Sequence, residues 1–215
     1  DREIKTGSPM FEVLTKFLPK IKASTILDKL KLTKNKFFVV SAHREENISN
    51  SRNLNGLIDS LNQIAELYNY PIIVSAHPRT RNMINDKEIK THKNIHILKP
   101  LGFSDYNCLQ MNSFAVLSDS GTINEESSIL NFRALNLRDA HERPEAMEEA
   151  SVMMVGMNTD RIIQGLTELS RQEILENRNF REVSDYSMPN VSLKVVRIII
   201  SYIDYINQNI YKKFN

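Results

Sequence analysis

The residues best placed to do chemistry sit in one short stretch, LSDSGTINEESS, at positions 117 to 128. A Ser-Gly turn (Ser120, Gly121) stands directly before a helical pattern, so free backbone amides and the positive end of the helix dipole meet there. Such a terminus binds phosphate or pyrophosphate, with the Ser120 hydroxyl as a further donor and Gly121 allowing close approach. Two carboxylates, Glu125 and Glu126, follow one turn later, where an anion would be repelled. Adjacent helical residues point about 100° apart, so the two cannot form one acid–base couple and at most one faces a ligand. A nucleotide satisfies both demands, with its diphosphate at the turn and its ribose hydroxyls on a glutamate. The plainer alternative is structural: Asp119 or Ser120 caps the helix and Glu125 complements its dipole.

Similar polar clusters recur along the chain. SAHREEN (41 to 47) gathers His43, Arg44, Glu46 and Asn47, with a histidine and an arginine able to bind or protonate phosphate oxygens. HPRTR (77 to 81) supplies His77, Arg79 and Arg81, and RDAHERPE (138 to 145) supplies Arg138, His141, Glu142, Arg143 and Glu145. Taken singly, each could be an ordinary surface loop, and His92 and His96 read as surface residues. No HExxH, CxxC, Walker or GxGxxG pattern occurs, and neither a metal centre nor a cofactor is expected. Ser120 lacks the flanking glycines of a nucleophile elbow, which argues against a serine hydrolase.

The elements that must position these residues follow from the apolar pattern. Six short apolar runs predict strands at 37–42, 71–76, 94–98, 114–119, 134–137 and 152–155. Between the first two, Leu54, Leu57, Ile58, Leu61, Ile64, Ala65 and Tyr68 recur every three or four residues, which marks one buried helix face. Further helices are predicted over 80–86, 104–111, 121–131, 159–170 and 191–212. Continuous apolar strands alternating with helices predict an α/β fold, a parallel sheet of about six strands covered on both faces. Right-handed crossovers then put every strand's C-terminal end on one edge, where open sheets bind ligands. All the unusual polar clusters, and LGF at 101 to 103, follow strand ends. Residues 1–33 and 179–190 read as connectors to something larger.

Composition excludes several classes. With 28 basic and 26 acidic residues in 215, the net charge of +2 gives no electrostatic footprint for nucleic acid. The lysine-rich stretch at 16–36 reads as a solvated helical face. Cys108 is the only cysteine, which precludes an internal disulfide, fits a reducing compartment and reads as a small buried hydrophobe. The most apolar stretch, VVRIIISYIDYI at 195–206, is interrupted by Arg197 and Asp204 and is too short to span a membrane.

TGSPM (6 to 10), SAHREEN, DSGTINEES (119 to 127) and RDAHERPEA (138 to 146), in that order and across essentially the whole chain, resemble the non-hydrolysing UDP-N-acetylglucosamine 2-epimerase family. SDSGTINEESSILNF and AHERPEAMEEASVMMVG are most similar to its UDP-N-acetyl-L-fucosamine branch, associated with 2-epimerisation of UDP-2-acetamido-2,6-dideoxy-L-talose for capsule and O-antigen. The general branch usually reads DSGG where this chain has DSGT.

The resemblance implies the glycosyltransferase-B architecture, two Rossmann-like domains facing one cleft, with this chain as the nucleotide-holding C-terminal half. Residues 1–33 would be a linker and the tail of the N-terminal domain, 34–190 the UDP-binding domain, and 191–215 a helix docking back on the N-terminal domain. It implies that Ser120, Gly121, His43 and Arg44 bind the diphosphate, that His43 also acts at the reacting sugar, and that Glu126 holds the ribose. Leu101, Gly102 and Phe103 would hold uracil, largely through backbone groups, while Glu46, Asn47, Arg143 and Glu145 organise the cleft. The implied reaction eliminates UDP to a 1,2-ene glycal and re-adds it after reprotonation at C2. The carboxylates for that proton transfer belong to the N-terminal half, so this chain alone is expected to bind UDP weakly and not to epimerise. The implied partners are UDP, UDP-2-acetamido sugars, the N-terminal half of the same polypeptide and a second copy in a homodimer. A cytoplasmic setting is implied, with no nucleic acid, no membrane and no cofactor.

Two other functions stay open on the residues alone. A glycosyltransferase of the same architecture has a similarly shaped donor site, although the paired HREEN and HERPE stretches argue against it. A stand-alone nucleotide-sugar-binding module is the other. A binding-dead paralogue is opposed by the intact His43, Ser120, Glu126 and Arg143. Arg133, where a proline is expected in close relatives, has no account in the sequence.

Overall fold

Six parallel strands form one sheet in the order β3-β2-β1-β4-β5-β6. The computed structural model describes residues 3–42, 51–76, 81–83, 89–140 and 143–212. The strands are β1 Phe38–Ser41, β2 Ile72–Ser75, β3 Ile95–Leu98, β4 Ala115–Ser118, β5 Ala134–Asn136 and β6 Met153–Met154. Each lies inside a predicted apolar run, shortened by a residue or two because only the paired part of the run counts as strand. The helices are α1 Met10–Lys22, α2 Ile26–Lys29, α3 Ser51–Tyr68, α4 Phe103–Asn112, α5 Ile123–Leu130, α6 Pro144–Glu148, α7 Thr159–Leu169 and α8 Val191–Asn209. Within the helix predicted at 80–86, residues 81–83 are helical and 84–88 lie outside the described residues.

Alternation along each strand builds two cores. Phe38 and Val40 face the α3 and α7 side, where Leu54, Ile58, Leu61, Ile162 and Leu166 bury the amphipathic faces read from the sequence. Phe37 and Val39 face the other side, against α1, α2, α4 and α5. Leu14 and Ile21 of α1 are fully buried there, and Cys108 packs in the same layer. The stretch read as a connector (1–33) therefore supplies part of this sheet's core. Truncating one fully buried α3 leucine, as in Leu61→Ala, would cost about 2–5 kcal/mol.

Short carboxylate-free strand ends set up the ligand edge. Ser41 pairs in register with Ser75 and Ser118, and Ser118 with Asn136. A row of buried polar side chains thus crosses the C-terminal ends of the central strands. The strand order reverses between β1 and β4, and in an open parallel sheet that reversal opens a crevice at the C-terminal edge. The loop after β4 is DSGT, so it lies at the crevice.

Candidate functional site

The turn after β4 is tied to the strand ends on both sides. The Asp119 amide donates to the Ser41 carbonyl at 3.2 Å, and the Ser120 amide to Ser118 Oγ at 3.1 Å. Ser120 Oγ accepts from the Thr122 amide at 3.3 Å and lies 2.9 Å from Thr122 Oγ1. Thr122, in helical conformation, is the N-cap residue of α5, and its side chain makes no capping bond to that helix start. Neither Asp119 nor Ser120 is the N-cap residue, although Ser120 Oγ takes the Thr122 amide and the Gly121 carbonyl takes the Asn124 amide at 3.4 Å. The positive end of α5 thus lies at the crevice, with Ser120 and Gly121 in the turn that leads into it.

Glu126 lies one turn inside α5 and is almost completely buried. Its Oε2 accepts a 2.8 Å hydrogen bond from Gln110 Nε2. Burial pushes its carboxyl above the usual carboxylate range; Gln110 and Thr122 oppose that shift, and neighbouring Glu125 adds to it. Gln110 comes from α4, as does Tyr106 one turn earlier. That i, i+4 spacing puts both on one helix face. Burial raises the Tyr106 hydroxyl's pKa, the Ser41 hydroxyl at the end of β1 opposes that shift, and Glu126 and Asp119 add to it. Helix α4 is joined to α5 through Gln110. The sequence reading singled out neither residue. Their signal was present as polar side chains repeating at helical spacing on a helix that must be buried.

Glu125 lies in the first turn of α5, where a carboxylate complements the dipole, and it has partners of its own. Ser8 Oγ donates to its Oε1 at 2.5 Å, and the Arg143 guanidinium lies 3.7 Å from its Oε2. Glu125 is 6% exposed and Arg143 42%, so the arginine keeps an open face toward solvent. Ser8 is presented by Gly7, whose φ of +91° suits glycine and whose absent Cβ would lie 2.9 Å from Met188 Cβ. Arg143 immediately precedes α6, which starts at Pro144, a residue pre-organised for a first helical position. Glu145 Oε1 accepts from the buried Tyr186 hydroxyl at 2.9 Å, and burial and that bond raise the tyrosine's pKa. Thr122, Glu125, Arg143, Glu145, Ser8 and Tyr186 line a cleft of about 510 Å³ that runs from the start of α5 to the TGSPM turn. A larger hollow of about 730 Å³ lies at the β6–α7 edge, beside Asp139, Gly156 and Arg161. The smaller one is lined by the Glu125 carboxylate, Arg143 and Thr122 at the start of α5, beside the DSGT turn, and is the candidate site.

Leu101, Gly102 and Phe103 connect β3 to α4. Gly102 is the extended N-cap residue of α4, with open space where a Cβ would stand. Leu101 packs on the α1 side of the sheet, and the Phe103 ring meets Phe17 edge-on at 5.4 Å. Of the residues singled out, Arg143 and Glu145 line the cleft with Glu125 and Thr122. Ser120 and Gly121 stand in the turn before α5, and Glu126 is buried against Gln110 of α4. His43, Arg44, Glu46 and Asn47 lie outside the described residues, as do His77, Arg79, His141 and Glu142. Arg133 gains an account: its Nε and Nη2 donate to the Gln172 carbonyl, just past α7, at 3.0 and 2.6 Å, while its guanidinium lies over Phe114.

A family model described as UDP-N-acetylglucosamine 2-epimerase matches residues 1–200. The chain belongs to that family. The UDP-N-acetylglucosamine 2-epimerases of Methanocaldococcus jannaschii and Neisseria meningitidis serogroup A are each 30% identical to it, over 167 and 209 residues. Those alignments cover 76% and 93% of this chain but 44% and 55% of the relatives. The solved UDP-N-acetylglucosamine 2-epimerase of Rickettsia bellii matches with a TM-score of 0.87 at 42% identity, covering 97% of this chain and 56% of that one. The M. jannaschii UDP-GlcNAc 2-epimerase solved with UDP-GlcNAc and UDP matches at 0.79 and 26% identity, over 91% and 54% of the two chains. This family member spans about half the length of the relatives it matches. Its Rossmann-like sheet of six parallel strands is the glycosyltransferase-B-type fold expected from the sequence. No helix among the described residues is long and apolar enough to cross a membrane.

Proposed function

We propose that this chain is the UDP-sugar-binding half of a nucleotide-sugar 2-epimerase. The observation that carries this is the start of α5 at the strand-order reversal, with a buried carboxylate one turn inside. Ser120, Gly121 and the α5 amides take the diphosphate, and Glu126 takes the ribose diol. Arg143, with one face on Glu125 and the other open, adds positive charge beside the diphosphate. His43 and Arg44 complete the diphosphate site from the loop after β1, and His43 acts at the reacting sugar. Leu101, Gly102 and Phe103 hold uracil, while Glu46, Asn47 and Glu145 shape the cleft. The M. jannaschii relative bound to UDP-GlcNAc and UDP supports this ligand class.

The reaction removes the C2 proton, breaks the C1–O bond to UDP and forms a 1,2-ene; reprotonation at C2 from the other face and re-addition of UDP complete the inversion. The cationic rim stabilises the departing diphosphate. The C2 proton carriers belong to the N-terminal half of the longer polypeptide, onto which residues 191–215 dock. Within the family the chain belongs to the branch acting on UDP-2-acetamido-2,6-dideoxy-L-talose in surface polysaccharide synthesis, in the cytoplasm and as a homodimer; the DSGT turn supports that reading. The test is turnover in D2O by the polypeptide that includes the N-terminal half. Deuterium at C2 of both epimers, detected by NMR, is the expected result, and the 215-residue chain alone should incorporate none. Epimerisation with C2 protium retained, or turnover by the short chain, contradicts the proposal.

A further inference from the structure

We propose that Gln110 is a positioning residue of the nucleotide site, holding the Glu126 carboxylate in register with the ribose diol. The inference rests on the ribose assignment of Glu126 made above. Gln110 is buried, and its amide donates to Glu126 Oε2 at 2.8 Å from a different helix, α4. This donor from a separate element fixes the carboxylate's rotation while leaving it acceptor capacity for a ligand, since a carboxylate offers about four lone-pair sites.

The choice of an amide has consequences. A lysine or arginine at 110 would neutralise the carboxylate and compete with the diol, and an apolar residue would leave a buried anion short of a donor. The glutamine satisfies the anion without cancelling its charge. Gln110 Oε1 has no hydrogen-bond partner among the described residues. A buried amide with one end unpaired is retained at a cost, and its only described side-chain partner is Glu126.

A positioning role differs from a packing role in what it discriminates. Calorimetric titrations of the folded chain with UDP and with 2′,3′-dideoxy-UDP separate the two. The unaltered chain should prefer UDP by about tenfold or more, the worth of hydrogen bonds to a charged acceptor. Gln110→Met, near-isosteric and without a donor, should cut that preference at least threefold while leaving dideoxy-UDP affinity within about twofold. Gln110→Asn, which keeps the amide but withdraws it, should behave similarly and serves if the methionine variant does not fold. Glu126→Ala should abolish the preference. If it does so while both Gln110 variants keep the full preference, the positioning role is overturned alone. Equal loss of both ligands in a folded Gln110 variant also overturns it, as packing only. If Glu126→Ala keeps the preference, the ribose assignment falls, and the role of Gln110 with it.

Discussion

Glu125 and Glu126 are adjacent in the chain yet face different work because the helix turns them apart. Glu126 takes Gln110; Glu125 takes Ser8 and Arg143. The raised pKa of Glu126 has a thermodynamic sign. A carboxyl that binds its proton more tightly in the folded state stabilises the fold fully below its unfolded pKa, and loses that contribution as pH rises through the folded pKa. At neutral pH, above the carboxyl's unfolded pKa, the buried Glu126 therefore costs stability. Glu126→Gln should melt higher than the parent at pH 7, and the gap should close as pH falls toward 4.5, the carboxyl's ordinary value. A glutamine there can also donate to the orphaned Gln110 Oε1. Thermal melts across that range check this. A variant that melts lower at pH 7 would show that the carboxylate's charge stabilises the empty site.

At the scale of elements, a side chain 117 positions upstream locks the TGSPM turn onto the first turn of α5. Glu125→Ala leaves the Ser8 hydroxyl without its acceptor and should cost about 1–3 kcal/mol. Hydrogen exchange at the amides of Gly7, Ser8 and Met10 should quicken more than in the strands. Unchanged exchange there would mean that Gly7 and Met188 packing alone holds the turn. Arg133→Ala removes charged donors from the Gln172 carbonyl past α7 and should cost about 1–2 kcal/mol in a denaturant titration, with no effect on UDP binding. The strands and long helices were legible because apolar runs and three-four spacing are local signals. Helix α6 was read as loop, since four of the five residues at 141–145 are charged or histidine; Pro144 was the overlooked start signal. Residues 1–33 read as a connector with a helical pattern; what the pattern did not show is that Leu14, Leu18 and Ile21 of α1 pack on this sheet. The Ser8–Glu125 and Gln110–Glu126 contacts could not be read, because tertiary folding alone sets which distant side chain meets which.

The whole molecule leaves one helix conspicuously unburied. Along α8 only Val191 is buried, while Leu193, Val196, Ile199, Ile200, Ile203 and Tyr205 are exposed, Ile200 at 69%. Its start is pinned to the N-terminal segment by Lys194 Nζ donating to the Lys5 carbonyl at 2.9 Å and by the Ser192 amide donating to Glu12. An apolar face of that extent requires a partner, and the proposed one is the N-terminal half of the longer polypeptide. The 215-residue chain by itself should associate through this face at tens of micromolar in sedimentation experiments. Ile200→Glu with Ile203→Lys should suppress that association and leave UDP binding within about twofold. Association that survives the double change would locate the sticky surface elsewhere.

Calorimetric titration of UDP into the chain and into Glu126→Ala tests the central claim most directly. The account predicts weak, saturable one-site binding by the chain and a loss of about tenfold or more in the folded variant. Absence of UDP binding, or equal affinity in the two proteins, would contradict it.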